Sequence, residues 1–167
     1  MRRLHRRAWL AGLGASALAA GCGFQLQRPP VLPFRSIAFT GFSARSPLAA
    51  ELRSRVGETR ISEIPAQAEV ILHALSDRRE RSVVATTAAG QVREVQLRVR
   101  LNFRVTAPGG RVLLPPSELL LTRDMTYNET AALAKEQEEA QLYRAMESDI
   151  AQQIMRRLAA LQPDAGR

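Results

Sequence analysis

The sequence predicts an α+β fold, a two-layer sandwich in which a four-stranded mixed sheet is covered on one face by two helices, in the order βαβββα. Three observations lead to this prediction. Residues 94–105 alternate between polar and apolar side chains, residues 48–56 repeat an apolar side chain every four positions, and residues 143–161 repeat one every three or four. A sheet with one apolar face has to bury that face, and two amphipathic helices are available to cover it.

The length and composition agree with one folded domain. The chain has 167 residues, of which 46% are hydrophobic and 24% are charged, so it does not have the composition of a disordered charged tail. Its apolar runs are shorter than the roughly 20 residues that a membrane-spanning helix needs. The net charge of +8 and the pI of ≈ 11.2, taken alone, suggest a nucleic-acid partner.

The N-terminal segment argues against a nucleic-acid partner because it has the pattern of an export signal. Four arginines among the first seven residues precede an apolar stretch of 13 residues, 8–20, which predicts a signal peptide over residues 1–21. An exported protein does not meet nucleic acid, so no nucleic-acid partner is expected. The pair Arg6-Arg7 also suits a twin-arginine signal, so the Sec and Tat export routes both stay open.

Cys22 is predicted to carry a lipid anchor. It is the only cysteine of the chain, so it cannot form a disulfide within one molecule, and it follows the small residues Ala19, Ala20 and Gly21, as in a bacterial lipobox. Two or three acyl chains attached there would hold the protein firmly on a membrane. Gly23, where an aspartate would retain the protein, permits sorting to the outer membrane.

The first elements of the folded domain follow from local signals. Three prolines predict an extended tether over residues 22–35, which leaves residues 36–162 as the single folded domain. Residues 36–42 alternate and predict a short first strand. Ser46 and Pro47 predict the start of a helix, because serine caps free amides and proline at the first helical position loses no helical hydrogen bond.

The next elements are predicted to be two long strands. Gly57 is expected to end the first helix. Residues 68–85 predict one long strand with a bulge near Asp77, and Ala89-Gly90 predicts the turn after it. The alternating residues 94–105 predict the third strand, with one buried and one solvated face.

The C-terminal part is predicted to contain a fourth strand and the second helix. Pro108-Gly109-Gly110 predicts a hairpin turn, and the strand after it is expected to be broken by Pro115-Pro116. From Asn128 the apolar period is helical, Pro163 ends it, and residues 163–167 are expected to form a disordered tail. The first two strands, joined through a helix, are expected to be parallel and the hairpin-linked strands antiparallel.

Several short motifs carry a resemblance to a known family. The chain has GCGF at residues 21–24, a Gly90-Gln91 turn before the alternating strand, and ALAK at residues 132–135 at the start of the last helix. Together with the element order, these features resemble the LptE family. The resemblance implies a lipoprotein anchored on the periplasmic side of the cell outer membrane. It implies that the protein plugs the lumen of the β-barrel LptD, helps that barrel assemble and helps deliver lipopolysaccharide to the cell surface.

Arginines on the polar face of the alternating strand are candidate lipopolysaccharide contacts. Lipopolysaccharide carries phosphate groups, and guanidinium groups bind phosphate oxygens bidentately. Arg98, Arg100 and Arg104 lie on that polar face. They either keep the face soluble or contact lipopolysaccharide or the barrel lumen, and both interpretations stay open.

The resemblance implies two further basic contacts, one near the turn before the third strand and one at the start of the last helix. Lys135, the only lysine of the chain, matches the second position. The first position falls near Ala88, which is not basic, so Arg93 is the expected substitute. The alternative for Lys135 is an ordinary exposed helix residue beside Glu138 and Glu139.

No enzyme, metal site or cofactor is predicted. His73 lies in an apolar alternating strand, where a structural histidine is expected rather than a base, and the charged residues 77–81 are expected to form a solvated bulge. No nucleophile–base pair, metal-ligand cluster or phosphate-binding loop occurs at a recognisable spacing. The alternative function is a stand-alone periplasmic lipoprotein that binds a small amphipathic ligand, and a lipoprotein hydrolase is the third possibility.

Overall fold

The computed structural model describes residues 31–162. The predicted signal peptide, Cys22, the first part of the tether and the predicted C-terminal tail lie outside the described residues. Among the helices of residues 31–162, none combines the length and the hydropathy that crossing a membrane requires.

The described chain forms one sheet and two helices. The strands are β1 (Ser36–Thr40), β2 (Arg60–Ile61), β3 (Val70–Thr86), β4 (Val92–Thr106) and β5 (Val112–Thr126), and the helices are α1 (Pro47–Ser54) and α2 (Ala132–Ala159). Single 3₁₀ turns cover Pro65–Gln67 and Glu129–Ala131. The strand order is β2-β1-β3-β4-β5, with β1 parallel to both of its neighbours and β3, β4 and β5 antiparallel.

The predicted α+β class is confirmed, but the predicted number of strands is wrong. The sheet has five strands because β2, only two residues long, pairs with β1 at the sheet edge. The pairing includes a hydrogen bond from the Arg60 amide to the Arg35 carbonyl, 3.0 Å long. Two residues are too few for an alternating pattern, so the sequence around Arg60 shows no strand signal.

Helix α1 begins as predicted and ends earlier than predicted. The Ser46 hydroxyl accepts a hydrogen bond from the Ala49 amide at 3.0 Å, and Pro47 occupies the first turn. The helix ends at Ser54, because the Arg55 amide closes a tight last turn onto the Leu52 carbonyl. Gly57, with a φ of 60°, lies in the loop after the helix.

The apolar core lies between the sheet and the two helices. The inward side chains of β4 are fully buried, as the alternation predicts: Val95, Leu97, Val99 and Leu101. Helix α2 covers them with a row of buried apolar side chains: Met146, Ile150, Ile154, Met155 and Leu158. The other face of the sheet, called here the open face, carries the polar residues of β4, of which Gln96, Arg98, Arg100 and Asn102 are partly exposed.

Strand β3 contains the predicted bulge. Its register with β4 shifts between Ala74 and Ser76, two residues before Asp77, and the bulged Leu75 is 52% exposed. Gly41, which follows β1 with a φ of 79°, packs directly against the Ala74 carbonyl. The bulge therefore lies next to the chain that leaves β1.

The predicted break in the fourth strand is wrong. Strand β5 runs without interruption from Val112 to Thr126, and Pro115 and Pro116 form a bulge between the Phe103–Ser117 and Val105–Leu114 pairs. Proline is tolerated here because β5 is the edge of the sheet, where a missing amide costs no ladder hydrogen bond on the free side.

Candidate functional site

A cleft lies at the end of the sheet that is farthest from β1. Strand β1 pairs with the first residues of β3, Val70 to His73, whereas the cleft lies beyond the last residues of β3. It has a volume of ≈ 320 Å³ and is lined by Thr87, Gln91, Val92, Arg93, Tyr127, Asn128, Glu129 and Thr130. The β3–β4 turn forms one wall, and the segment that joins β5 to α2 forms the other.

The β3–β4 turn is closed by local hydrogen bonds. The Thr87 amide donates to the Gln91 carbonyl at 2.8 Å, and the Gly90 amide donates to the Thr87 carbonyl at 2.9 Å. The Thr87 hydroxyl accepts from the Gln91 amide at 3.1 Å. Gly90 has a φ of 80°, which glycine adopts without strain, so the turn predicted at this position is confirmed.

The segment after β5 is hydrogen-bonded to β4 and to the 3₁₀ turn that precedes α2. The Tyr127 amide donates to the Arg93 carbonyl at 2.8 Å. The Asn128 carboxamide oxygen accepts from the Thr130 amide at 3.0 Å and from the Thr130 hydroxyl at 2.8 Å, which caps the 3₁₀ turn before α2. These bonds hold the polar side chains of the segment at the cleft.

Two opposite charges line the cleft without pairing. The Arg93 and Glu129 side chains are exposed, and neither makes a hydrogen bond or an ion pair within residues 31–162. Arg93 thus offers a guanidinium group with all of its donors free, which suits an anionic oxygen such as that of a phosphate. Of the five basic residues proposed from the sequence, Arg93 is the one that the fold places in a cleft.

Lys135 lies close to the cleft but is held by neighbouring groups. Its ammonium nitrogen lies 3.2 Å from the Thr126 hydroxyl and 2.8 Å from the Glu138 carboxylate, and its side chain is 18% exposed. The contact with Thr126 places Lys135 beside the residue that precedes Tyr127 in the cleft wall. Its charge is shared with Glu138, so it is less available than that of Arg93.

The other three basic residues lie on the open face, away from the cleft. Arg98 donates to the Gln96 carboxamide. Arg100 lies 3.0 Å from Glu118 and 3.8 Å from Glu80, and Arg104 is exposed. At about 3.3 Å per residue, Arg104 lies roughly 36 Å along β4 from Arg93. The fold therefore places Arg93 in the cleft, Lys135 close to it, and the other three arginines in a row on the open face.

The interpretation of residues 77–81 as a solvated bulge is wrong for two arginines. Arg79 and Arg81 pair with the buried positions Val99 and Leu97 of β4, so they point toward α2. Arg79 makes a bidentate ion pair with the buried Glu147, with distances of 2.6 and 2.7 Å. The bulge at Leu75 shifts the alternation of β3 by one residue. The period-two pattern, continued from the apolar start of β3 into residues 77–81, therefore assigned these arginines to the wrong face of the sheet.

These two arginines hold α2 to the sheet. We use the term clamp for Arg79 and Arg81 together with their aromatic and acidic partners. Arg79 lies over the Tyr143 ring at 5.0 Å, and Arg81 lies over the Tyr127 ring at 5.5 Å. Arg81 also pairs with Glu139 at 3.1 Å. The hydrogen bond to Glu147 raises the pKa of Arg79, and burial raises the pKa of Tyr143. The clamp thereby holds the cleft residue Tyr127 against the sheet.

His73 is engaged by two hydroxyl groups on the open face. Its Nδ1 lies 2.8 Å from the Thr40 hydroxyl, and its Nε2 lies 3.0 Å from the Thr106 hydroxyl. Burial lowers the pKa of His73, and the nearby Arg104 lowers it further. This arrangement agrees with a structural histidine. Within residues 31–162 no group of three or more His, Cys, Asp or Glu side chains could hold a metal ion.

The lowered pKa of His73 predicts how stability depends on pH. The unfolded chain binds the proton near pH 6.5 and the folded protein only at lower pH, so the free energy of unfolding should fall as the pH drops below about 6.5. The slope should be at most about 1.4 kcal/mol per pH unit, which corresponds to one proton. Urea unfolding of the parent and of His73→Gln from pH 7.5 to 5 measures this dependence. An equal slope in both proteins would assign it to other groups.

Comparison with known proteins shows the family of the chain. A family model described as LptE, lipopolysaccharide-assembly, matches residues 34–158. The LPS-assembly lipoprotein LptE of Pectobacterium atrosepticum is 26% identical over 164 residues, which cover 95% of this chain and 88% of that protein. The LPS-assembly lipoprotein LptE of Photorhabdus laumondii is 28% identical over 153 residues, which cover 89% and 82%.

Solved structures show the same fold. The solution structure of lipoprotein B from Nitrosomonas europaea has a TM-score of 0.67 at 27% identity and covers 83% of this chain and 91% of its own. The crystal structure of a minor lipoprotein from Acinetobacter baumannii has a TM-score of 0.63 at 22% identity, with 78% and 96% covered. Because the family match runs from Phe34 to Leu158 and so includes every strand and most of α2, this chain belongs to the LptE family of lipopolysaccharide-assembly proteins.

Proposed function

We propose that this protein is an outer-membrane lipoprotein that plugs an LptD-like β-barrel, helps that barrel assemble and assists the delivery of lipopolysaccharide to the outer leaflet. The observation that carries the proposal is the family match over residues 34–158. The names of the two relatives, both LPS-assembly lipoproteins, support the same role. The lipid anchor at Cys22 is proposed from the sequence pattern alone.

The open face of the sheet suits the inside of a barrel. The interior of a large outer-membrane barrel is polar, whereas its outer surface is apolar. Strand β4 presents Gln96, Arg98, Arg100 and Asn102 on the open face, with Glu118 and Asp124 of β5 beside them. A face of this composition remains hydrated when it is free, and it can exchange water for polar groups of a barrel wall.

The cleft supports direct contact with lipopolysaccharide. The phosphate groups of lipopolysaccharide require cationic donors, and Arg93 has a free guanidinium group at the cleft. Lys135 adds a second positive charge near the same wall through its contact with Thr126. We propose that Arg93 is the principal contact and Lys135 the secondary one, because Lys135 shares its charge with Glu138.

Co-purification tests the barrel partnership. We expect gentle detergent extraction of the full-length protein from outer membranes to retain a large β-barrel protein in a stable complex. Depletion of the protein should in turn leave newly made lipopolysaccharide in the periplasm. Recovery of the protein with lipid alone, and no barrel, would contradict the proposal and favour a stand-alone lipoprotein that binds an amphipathic ligand.

Charge reversal in the cleft is expected to weaken lipopolysaccharide binding. Arg93→Glu should reduce the affinity for purified lipopolysaccharide at least tenfold, because it removes a phosphate donor and adds repulsion. The matched control is Arg144→Glu, at an exposed position of α2 with no partner within residues 31–162. Binding to immobilised lipopolysaccharide measures the effect. If Arg104→Glu lowers the affinity and Arg93→Glu does not, the contact lies on the open face and the cleft proposal is wrong.

A further inference from the structure

One end of the sheet collects exposed arginines. Strands β1 and β3 begin at this end and β4 ends there, and the turn between β4 and β5 lies at the same level, because Thr106 pairs with both Ile71 and Val112. Helix α2 also ends nearby, with Arg157 over the Phe103 ring at 5.7 Å. We call this the basic end, defined by Arg35, Arg60, Arg111, Arg156 and Arg157.

Three of these arginines have no acidic partner. The side chains of Arg35, Arg60 and Arg156 are exposed and make no ion pair within residues 31–162. Arg35 and Arg60 lie on adjacent segments, because the Arg60 amide donates to the Arg35 carbonyl at 3.0 Å. The acidic residues around the basic end are Glu58, Glu63 and Glu69. Five arginines against three glutamates leave this end with a net positive charge.

The opposite end of the domain, at the cleft, has the opposite sign. Its acidic side chains are Glu94, Asp124, Glu129, Glu136, Glu138 and Glu139, against three basic ones, Arg81, Arg93 and Lys135. At about 3.3 Å per residue, the 15 residues of β4 hold the two ends roughly 46 Å apart. This distance is several Debye lengths, so each end responds to a charged surface separately. An anionic surface attracts the basic end and repels the cleft end.

The chain enters the domain at the basic end. Phe34 is buried and Leu32 packs against the same core, so this part of the predicted tether is fixed to the domain. Cys22 lies nine residues before Val31, a separation that an extended chain spans in at most about 32 Å. A lipid anchor at Cys22 therefore keeps the basic end close to the bilayer.

An exposed apolar side chain accompanies the arginines. Val112 begins β5 directly after Arg111 and is 55% exposed. Guanidinium groups bind phosphate oxygens, and apolar side chains enter the boundary between the headgroups and the acyl chains. This combination suits a surface that lies against phospholipid headgroups.

We propose that the basic end contacts the anionic phospholipid headgroups of the leaflet that holds the acyl chains of Cys22. The inference rests on the lipid anchor proposed above. Each arginine near an anionic membrane adds a modest attraction, and the anchor makes the contact intramolecular, so a modest attraction is enough to orient the domain. At the mouth of a barrel, the basic end would lie level with these headgroups while the rest of the domain occupies the lumen.

Tryptophan quenching tests which end meets the lipid. Trp9, the only tryptophan of the chain, lies in the predicted signal peptide, so an introduced tryptophan reports alone in the processed protein. The acylated protein with Val112→Trp is reconstituted in phosphatidylcholine vesicles that contain brominated acyl chains and about 30% phosphatidylglycerol. We expect quenching about threefold stronger than without phosphatidylglycerol, and loss of this difference in about 1 M salt. No dependence on phosphatidylglycerol or on salt would overturn the proposal.

Ala88→Trp is the matched control at the other end. Ala88 is exposed in the β3–β4 turn, so its tryptophan should be quenched weakly and to the same extent in both kinds of vesicle. Because the two variants carry the same ring, the affinity of tryptophan for the membrane interface does not explain a difference between them. Equal quenching of the two variants in anionic vesicles would contradict the proposed orientation.

Charge reversal identifies the arginines that are responsible. In the Val112→Trp protein, Arg35→Glu together with Arg60→Glu should lower the quenching to the level found without phosphatidylglycerol. Arg78→Glu together with Arg144→Glu makes the same change in net charge at exposed positions away from the basic end, and it should leave the quenching unchanged. Equal losses in the two double variants would mean that net charge governs the contact, and the proposal would be wrong.

Mass spectrometry of the purified protein separates this inference from the proposed function. An unmodified Cys22 would overturn the lipid anchor and this inference together. An acylated Cys22, with quenching that does not depend on phosphatidylglycerol, would overturn this inference alone and leave the proposed function intact.

Discussion

Replacement of Gly41 by alanine is expected to lower the free energy of unfolding by about 3–5 kcal/mol. Gly41 has a φ of 79°, a conformation that costs an L-residue about 1–2 kcal/mol. In addition, a Cβ atom at this position would lie 2.1 Å from the Ala74 carbonyl oxygen, far inside van der Waals contact. The Ala74 carbonyl belongs to the backbone of the β3 bulge and cannot rotate away, so the chain after β1 would have to move off the sheet.

Gly57→Ala is the matched control for this substitution. Gly57 has a similar φ of 60°, but no atom lies within 4 Å of the position that its Cβ would occupy. Its replacement should therefore lower the free energy of unfolding by about 1–2 kcal/mol, the conformational part alone. Urea unfolding of the two variants compares the effects. Equal losses would show that the contact with Ala74 is unimportant and that only the backbone conformation matters.

Replacement of Arg79 by methionine is expected to lower the free energy of unfolding by about 3 kcal/mol, which is the second large effect. Glu147 is buried, with 5% of its side chain exposed, and both of its carboxylate oxygens accept hydrogen bonds from Arg79. Methionine fills the space of the arginine stem but leaves a buried carboxylate without a cation. Removal of one partner from a buried ion pair is costly for this reason.

Replacement of the other partner, Glu147, should lower the free energy of unfolding by less, and this difference makes the prediction specific. In Glu147→Leu the remaining charge is on Arg79, whose side chain is 38% exposed and can turn toward water. A loss of about 1 kcal/mol is expected, because leucine also packs well at a buried helix position. Chemical denaturation of both variants tests the asymmetry. A larger loss for Glu147→Leu would mean that the carboxylate is hydrated in the folded protein.

The clamp links stability to the candidate site. Arg81 lies over Tyr127 and pairs with Glu139, so the start of α2 and the cleft wall are held by the same side chain. No residue of α2 before Tyr143 is buried. The first turns of this helix therefore depend on polar contacts rather than on core packing. Loss of the clamp should increase amide exchange in residues 132–142 more than in residues 143–159.

The strands and helix starts followed from local patterns because their physical causes are local. In a strand every second side chain points to the same face, so the alternation of residues 94–105 predicted the buried row from Val95 to Val105 without knowledge of its partners. Capping is equally local, since Ser46 bonds an amide three residues ahead. The two-residue strand β2 could not be predicted, because it exists only through its pairing with β1.

The candidate site was predicted only in part. The sequence indicated three arginines on the polar face of one strand and, through the resemblance, Arg93 and Lys135 as two further contacts, but it did not show that Arg93 lies in a cleft and Arg104 at the other end of β4. The fold also places Arg79 against Glu147, 68 residues later in the chain. Separations of this size leave no periodic signal.

By itself, the sequence determined the α+β class, the buried face of β4, the cap of α1, the turn at Gly90 and membership of a family recognisable from its opening motif and element order. Only the tertiary structure decided which side of the sheet Arg79 and Arg81 occupy, how β5 passes through two prolines, and which basic residue remains free at the cleft. The reason is that the first set depends on neighbours within a few residues. The second set depends on a bulge, on an edge position and on partners from distant parts of the chain.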